Sequence, residues 1–329
     1  MKPTALKFLV CPACKNDLDL QARQPQAPEI MEGRLSCRGC RADYPILRGI
    51  PRFVEIGAYA SSFGFQWNWF RTVQVDALNG TRESERMLEE TSGWREEDYY
   101  GRLVLDAGVG AGRFAQVVAH KGGEVVGVDL TTAVDAAYLN IGHLDNVHLI
   151  QADIFRLPFR DGTFDMAYSI GVLHHTPDPG IAFQRVAAAV RPGGGLAIYV
   201  YHGYGIAHRF ADLIRMVTTR LPLRVLFALS MLAVPLYYLY CVPGLGDMLR
   251  LLCPISMHPN WRWRWLDTFD WYTPTYQWKL RYPEVSRWFR LAGFRDVEIF
   301  DDPIRMRGIK TEMSGDWARA FRARRERNE

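Results

Sequence analysis

The chain has 329 residues, 48% of them apolar and 23% charged, which is material for one large domain and a smaller unit. A formal charge of +4 is too small to imply a nucleic-acid partner. The apolar run at residues 1–10 is too short for a signal peptide, so the expected location is the cytoplasm.

The first motifs are Cys11-Pro-Ala-Cys14 and Cys37-Arg-Gly-Cys40, two C-x-x-C knuckles separated by 22 residues. Four thiolates brought together in this way make a tetrahedral Zn²⁺ site with no open position, a structural rather than a catalytic metal. A disulfide framework or a redox pair would need secretory or thioredoxin-like surroundings, and neither is visible. Residues 1–56 form the expected zinc-binding domain, in which metal binding supplies folding free energy. With Tyr44-Pro-Ile-Leu-Arg-Gly-Ile-Pro-Arg-Phe-Val at its end, the unit resembles the small zinc subunit that activates methyltransferases acting on tRNA and translation factors.

Residues 57–100 read as a linker with lid helices. The block Ser61-Ser-Phe-Gly-Phe-Gln-Trp-Asn-Trp-Phe70 offers Phe63, Phe65, Gln66 and Trp67 either as a cover for a ligand or as packing between domains. A helix is expected over 84–94. From 101 to 202, strands are expected at 102–106, 124–129, 147–152, 164–170 and 195–201, with helices near 111–121, 131–141 and 180–190. Alternation of this kind builds a parallel sheet.

Within that region Leu103-Val-Leu-Asp-Ala-Gly-Val-Gly-Ala-Gly112 is a buried strand running into a glycine turn. Gly108, Gly110 and Gly112 let backbone approach a ligand at a helix N-terminus. Asp129 ends the second strand and Asp153 follows the third. Phe164-Asp-Met-Ala-Tyr-Ser-Ile-Gly-Val-Leu-His-His175 and Arg191-Pro-Gly-Gly-Gly195 complete the pattern. This set resembles the class I S-adenosylmethionine-dependent methyltransferases. A Rossmann oxidoreductase would carry G-x-G-x-x-G, whereas the spacing here is G-x-G-x-G. Val109 stands where the family usually has Cys or Gly.

The resemblance implies an α/β, Rossmann-like seven-stranded methyltransferase sheet with a small N-terminal Cys₄ zinc domain and a helical insertion. It also implies a cofactor, S-adenosyl-L-methionine. Asp106, Gly108, Gly110 and Gly112 are the first motif. Asp129 beside Leu130 would hold the ribose, and Asp153 beside Ile154 the adenine. Ser169 and the lid residue Gln66 complete the expected cofactor set. His174 and His175, just past the fourth strand, are candidate general bases, since imidazole titrates near neutral pH.

Residues 203–282 exceed any connector. The run from Val225 to Gly246 holds no charged residue. Arg209, Arg215, Arg220, Arg224 and Arg250 flank it, and Trp261, Trp263 and Trp265 follow. Two readings stand: a lid burying its apolar face against the core or a twin subunit in a homodimer, or a bent helical pair in peripheral contact with a membrane surface. Cys241 and Cys253 are expected as buried thiols. Asp270, Tyr272 and Tyr276 are candidates for the acceptor pocket. Residues 283–312 should supply a helix and the last two strands, and 313–329 a basic tail. The expected activity is methylation at oxygen or carbon of a bulky apolar small molecule or lipid-like acceptor. An RNA- or protein-directed methyltransferase that docks through its zinc domain is the alternative.

Overall fold

The computed structural model describes residues 1–22, 24, 27–54, 61–204, 207–301 and 304–311. The basic tail, the start of the linker and the Arg209 side chain therefore lie outside the described parts.

The N-terminal unit is a four-stranded antiparallel sheet: β1 (Leu18–Ala22), β2 (Glu32–Cys37), β3 (Asp43–Leu47) and β4 (Ile50–Pro51). Four helices follow: α1 (Ser61–Trp69), α2 (Asp76–Asn79), α3 (Glu83–Ser92) and α4 (Glu96–Tyr99). The central region alternates β5 (Leu103–Ala107), α5 (Arg113–His120), β6 (Glu124–Asp129), α6 (Ala133–Ile141), β7 (Val147–Gln151), β8 (Phe164–Ile170), α7 (Pro179–Ala189) and β9 (Val190–Tyr199). The insertion folds as α8 (Ala207–Thr218), α9 (Leu223–Ser230), α10 (Ala233–Tyr240), α11 (Leu245–Leu252) and α12 (Trp261–Tyr272). Then α13 (Tyr282–Leu291), β10 (Phe294–Ile299) and β11 (Arg305–Lys310) close the fold.

The large sheet has the order β10-β11-β9-β8-β5-β6-β7, and β11 alone runs antiparallel to its neighbours. Its central strands are buried along nearly their whole length because helices cover both faces. The main departure from expectation is β9, which starts at Val190 rather than 195. Pairing of Phe164 with Val190 draws the Pro192–Gly195 turn into the strand through a register shift.

The N-terminal sheet is fused to the β7 edge. Phe53 N–H donates to the Gln151 carbonyl at 2.8 Å, and Val10 N–H to Pro158 at 2.9 Å. Arg52 pairs with Asp135 of α6 at 2.7 Å. Leu35 and Ile46 belong to the same apolar core as Val126 and Ile150. The unit thus covers an edge strand that would otherwise present unpaired backbone groups.

In the insertion, α12 is central, with Trp263, Trp265, Leu266 and Phe269 buried. α8, α9 and α10 pack around it. Arg215 and Arg264 are buried and donate to backbone carbonyls, Arg215 to Trp271 and Pro274, Arg264 to His258 and Pro259. They are therefore structural, not outward-facing cations. Cys241 and Cys253 are exposed, contrary to expectation, because each follows the last turn of a short helix.

Candidate functional site

One cavity of about 420 Å³ opens where β5, β6 and β8 end, between the sheet, α1, α3 and α12. On the sheet side it is lined by Gly108, Gly110, Asp129, Leu130, Ile154 and His175. Gly108, Gly110 and Gly112 have φ of 103°, 52° and 88°. This left-handed backbone turns β5 into α5 and ties the loop to β6, with Gly108 and Val109 N–H both donating to the Val128 carbonyl. Asp129 accepts from Gly110 N–H at 3.0 Å, from Thr131 N–H at 2.8 Å and from the Thr131 hydroxyl at 2.8 Å. Three acceptances leave lone-pair capacity on the carboxylate for a diol. Burial raises its pKa, and these donors oppose the rise.

Four predicted cofactor residues stand behind the wall rather than on it. Asp106 is buried in β5 and accepts from the Tyr168 hydroxyl at 3.0 Å. Burial, aided by the charge of Asp129, pushes its pKa up to about 7. Gly112 is the N-cap of α5. Ser169 donates to the Ala107 carbonyl at 2.8 Å. Asp153 caps the short turn at Ile154–Arg156 by accepting from Phe155 N–H at 2.9 Å. Asp106, Gly112 and Ser169 thus brace the glycine turn from behind, and Asp153 braces the segment after β7.

From the lid, Phe63, Gln66 and Trp67 line the cavity. A Cβ placed on Gly110 would lie 3.4 Å from the Trp67 ring, so α1 stands directly over the glycine turn. Phe65 points elsewhere, packing against Phe227 and Phe269. Gln66 is fully buried and donates to Asp270 at 2.7 Å, while its own carbonyl oxygen has no partner among the described residues.

The two histidines differ. His175 lines the cavity, and its Nδ1–H donates to the Tyr276 carbonyl at 2.9 Å. That bond fixes the tautomer and leaves Nε2 as a buried acceptor with no partner among the described residues. His174 is fully buried beneath it, stacked on Tyr201 at 3.9 Å, with Nδ1 accepting from Tyr201 N–H. Burial drives the His175 pKa down to about 3 and holds that of His174 well below the usual imidazole range. Both rings are neutral, so the near-neutral titration expected of them is absent.

The opposite wall comes from α12: Trp263, Leu266, Asp267, Asp270 and Trp271. Burial raises the Asp270 pKa to about 6, against hydrogen bonds from Gln66 and Tyr201. Asp267 reaches about 7 through burial and the neighbouring charge of Asp270. Asp267 also accepts from Ser256 and Gln74. Of the three acceptor-pocket candidates only Asp270 faces the cavity. Tyr272 donates to the Pro254 carbonyl at 2.7 Å, and Tyr276 contributes the carbonyl that holds His175. Asp267 and Thr131 were not singled out from the sequence. Asp267 had a signal, lying one helical turn before Asp270.

In the N-terminal unit the Sγ atoms of Cys11, Cys14, Cys37 and Cys40 all lie within 4.8 Å of one another. Two pairs approach to 3.6 and 3.4 Å, Cys11 with Cys40 and Cys14 with Cys37. Zn–S bonds of about 2.3 Å require sulfur separations near 3.7 Å, so the donor set fits zinc. Gly39 and Cys40 N–H groups point at the Cys37 sulfur, which suits a thiolate ligand.

A family model for a methyltransferase domain matches residues 105–198, and one for Trm112p-like proteins matches residues 2–49. Phosphoethanolamine N-methyltransferase 2 of Caenorhabditis elegans is 28% identical over 158 residues, 46% of this chain and 35% of that protein. O-methyltransferase resE of Aspergillus sclerotiorum is 34% identical over 120 residues, 35% of this chain and 45% of that protein. The chain thus spans less than half the length of these curated relatives. Among solved structures, the complex of the Haloferax volcanii Trm112 methyltransferase activator with a methyltransferase superposes with a TM-score of 0.45 at 13% identity. That match covers 77% of this chain and 99% of the other.

Proposed function

We propose that this chain, a class I S-adenosylmethionine-dependent methyltransferase domain joined to a Trm112p-like unit, methylates a small-molecule acceptor with a large apolar body. One observation carries the reading. A single cavity has the glycine turn and Asp129 on one wall, and on the other two carboxylates among tryptophans. Gly108, Gly110 and Asp129 would hold S-adenosylmethionine, with Trp67 and Gln66 over it. The cofactor supplies an electrophilic methyl group on a sulfonium.

Trp263, Leu266 and Trp271 would seat an apolar acceptor, and the uncharged run from Val225 to Gly246 in the same insertion fits such an acceptor better than a polynucleotide. Asp270 would accept the proton as the acceptor oxygen bonds to the methyl carbon and the sulfur–carbon bond breaks. For a hydroxyl acceptor the step would balance as a methyl ether, S-adenosylhomocysteine and a protonated Asp270 carboxyl. His175, neutral with its Nε2 lone pair free, would orient the acceptor by accepting a hydrogen bond. The Cys₄ cluster would hold Zn²⁺ as a brace for the β7 edge.

The Trm112p-like match favours a second reading, in which the zinc unit docks RNA or protein. Against it, no described residue of 1–54 is among those lining the cavity.

The test is calorimetric titration of the full chain with S-adenosylmethionine, repeated on Asp129→Ala, followed by transfer of labelled methyl to fractionated small-molecule and RNA pools. Micromolar binding lost in the variant, with label entering an apolar fraction, is expected. Failure of the intact chain to bind, or label entering RNA alone, would overturn the reading.

A further inference from the structure

The outward face of the insertion is unusually apolar for a surface. Sixteen of the twenty-six large apolar side chains exposed among the described residues fall between 213 and 261. Their spacing is ordered. Val225, Leu229, Leu232, Leu236 and Leu239 recur every three or four residues and all face out, with Leu232 52% exposed. Leu226, Ser230, Ala233 and Tyr240 recur with the same period and face in. The α9–α10 segment is therefore apolar on both faces, and only the inner one is covered, by α12. On α11, Leu245, Met248 and Leu252 add a second outward stripe. A soluble monomer rarely leaves contiguous apolar surface of this extent without a partner.

Charge identifies the partner. The segment Leu223–Tyr240 is long and apolar enough to cross a bilayer. Yet its inner face is fixed to α12, and α12 lines the cavity on its other side, so the segment lies against the domain rather than crossing. Arg220 and Arg224 stand exposed at its start, and Arg262 is exposed beside the half-exposed Trp261. These three guanidiniums make no ion pair among the described residues. Tyr238 is 74% exposed. An apolar stripe rimmed by free arginines and amphipathic aromatics matches the boundary between acyl chains and phosphate headgroups. A second copy of the chain would bring the same positive rim against itself.

We propose that this face, formed by α9, α10 and α11, docks on an anionic lipid surface with the helices lying in the interface. The proposal goes beyond the methyl-transfer reading and stands without it. It also places the cavity one helix away from the membrane, a short path for a lipid-like acceptor.

Flotation of the full chain with vesicles of phosphatidylcholine, alone or mixed with phosphatidylglycerol, tests it. Binding to the mixed vesicles is expected, with weaker binding at high salt. Leu232→Glu combined with Leu239→Glu should cut bound protein at least tenfold. Arg220→Gln combined with Arg224→Gln should cut it roughly tenfold or more. Tyr238→Glu, at the most exposed position, reads the same loss should the double glutamate variant fail to fold. Circular dichroism and thermal melting of each variant are the folding control, and S-adenosylmethionine binding, read separately, distinguishes failure of this proposal from failure of the preceding one. No flotation with either vesicle overturns it. So does flotation that the substitutions leave unchanged, or concentration-dependent dimers that the glutamates break without vesicle binding.

Discussion

The side-chain amide of Gln66 donates to Asp270 at 2.7 Å, joining two residues 204 positions apart. The bond closes α1 onto α12 over the cavity, so one contact links the helix above the glycine turn to the carboxylate on the opposite wall. An amide bonded to a carboxylate holds it in place and lowers its basicity, though by less than a guanidinium pair would.

Asp270→Asn keeps the shape and the link to Gln66 but removes the proton acceptor. We expect turnover on an apolar acceptor fraction to fall by about 10²-fold or more. Affinity for S-adenosylmethionine, read by calorimetry, should stay within a factor of about two, well under the 1.4 kcal/mol that a tenfold change represents. Equal losses in both would instead assign Asp270 to the cofactor half.

The pH profile follows from the raised carboxylates. With Asp270 at about 6 and Asp267 at about 7, the acid forms persist toward neutrality, so the base form, and with it turnover, increases as pH rises through that window. His175, held near 3, contributes no step there. Rate measurements from pH 5 to 9 (roughly the range in which such groups titrate) should show the rise abolished in Asp270→Asn and retained in His175→Asn. The linked effect on stability has the opposite sign. A proton bound more tightly in the fold stabilises below the ordinary carboxylate range, and that contribution is lost as pH rises through about 7.

Gly108→Ala places a Cβ 2.3 Å from a Val172 methyl and forces a non-glycine residue to φ +103°. Strain and overlap together should cost about 2 kcal/mol or more, measured by urea unfolding. Gly80→Ala is the control. It also sits at positive φ but meets nothing within 4 Å, so only the backbone term remains and the loss should be near 1 kcal/mol.

Purified chain should carry one zinc per molecule by elemental analysis. Stripping it with a chelator should lower the melting temperature by roughly 10 °C or more. Because Phe53 and Arg52 tie the zinc unit to β7 and α6, β7 amides should lose hydrogen-exchange protection at the same time. Metal loss that left the β7 edge protected would show that the unit folds independently of its metal.

Much of this protein is local information, and the sequence alone determined it. A C-x-x-C knuckle brings two thiolates together by its own turn geometry, so Cys11, Cys14, Cys37 and Cys40 were readable as a cluster before any fold was known. The strand–glycine–helix junction at Asp106–Gly112 and the acid ending β6 are equally short-range, set by backbone sterics and by burial of apolar runs. What the tertiary structure alone decided are relations between distant segments. The sequence shows His174 and His175 as equals. Packing on Tyr201 and the carbonyl of Tyr276 make one a buried stack and the other a cavity wall, and desolvation removes the charge that their chemistry in water would give them. Trp263, Arg264 and Trp265 resemble an interfacial cluster in one dimension, but helix periodicity and contact with α9 and α10 turn them inward. The leucines of α9 and α10, indistinguishable by composition, divide into an inner and an outer face only because α12 covers one side. Burial is a property of the assembled chain, and with it are decided the protonation of these groups, the residues that meet the ligand and the apolar face left to the solvent.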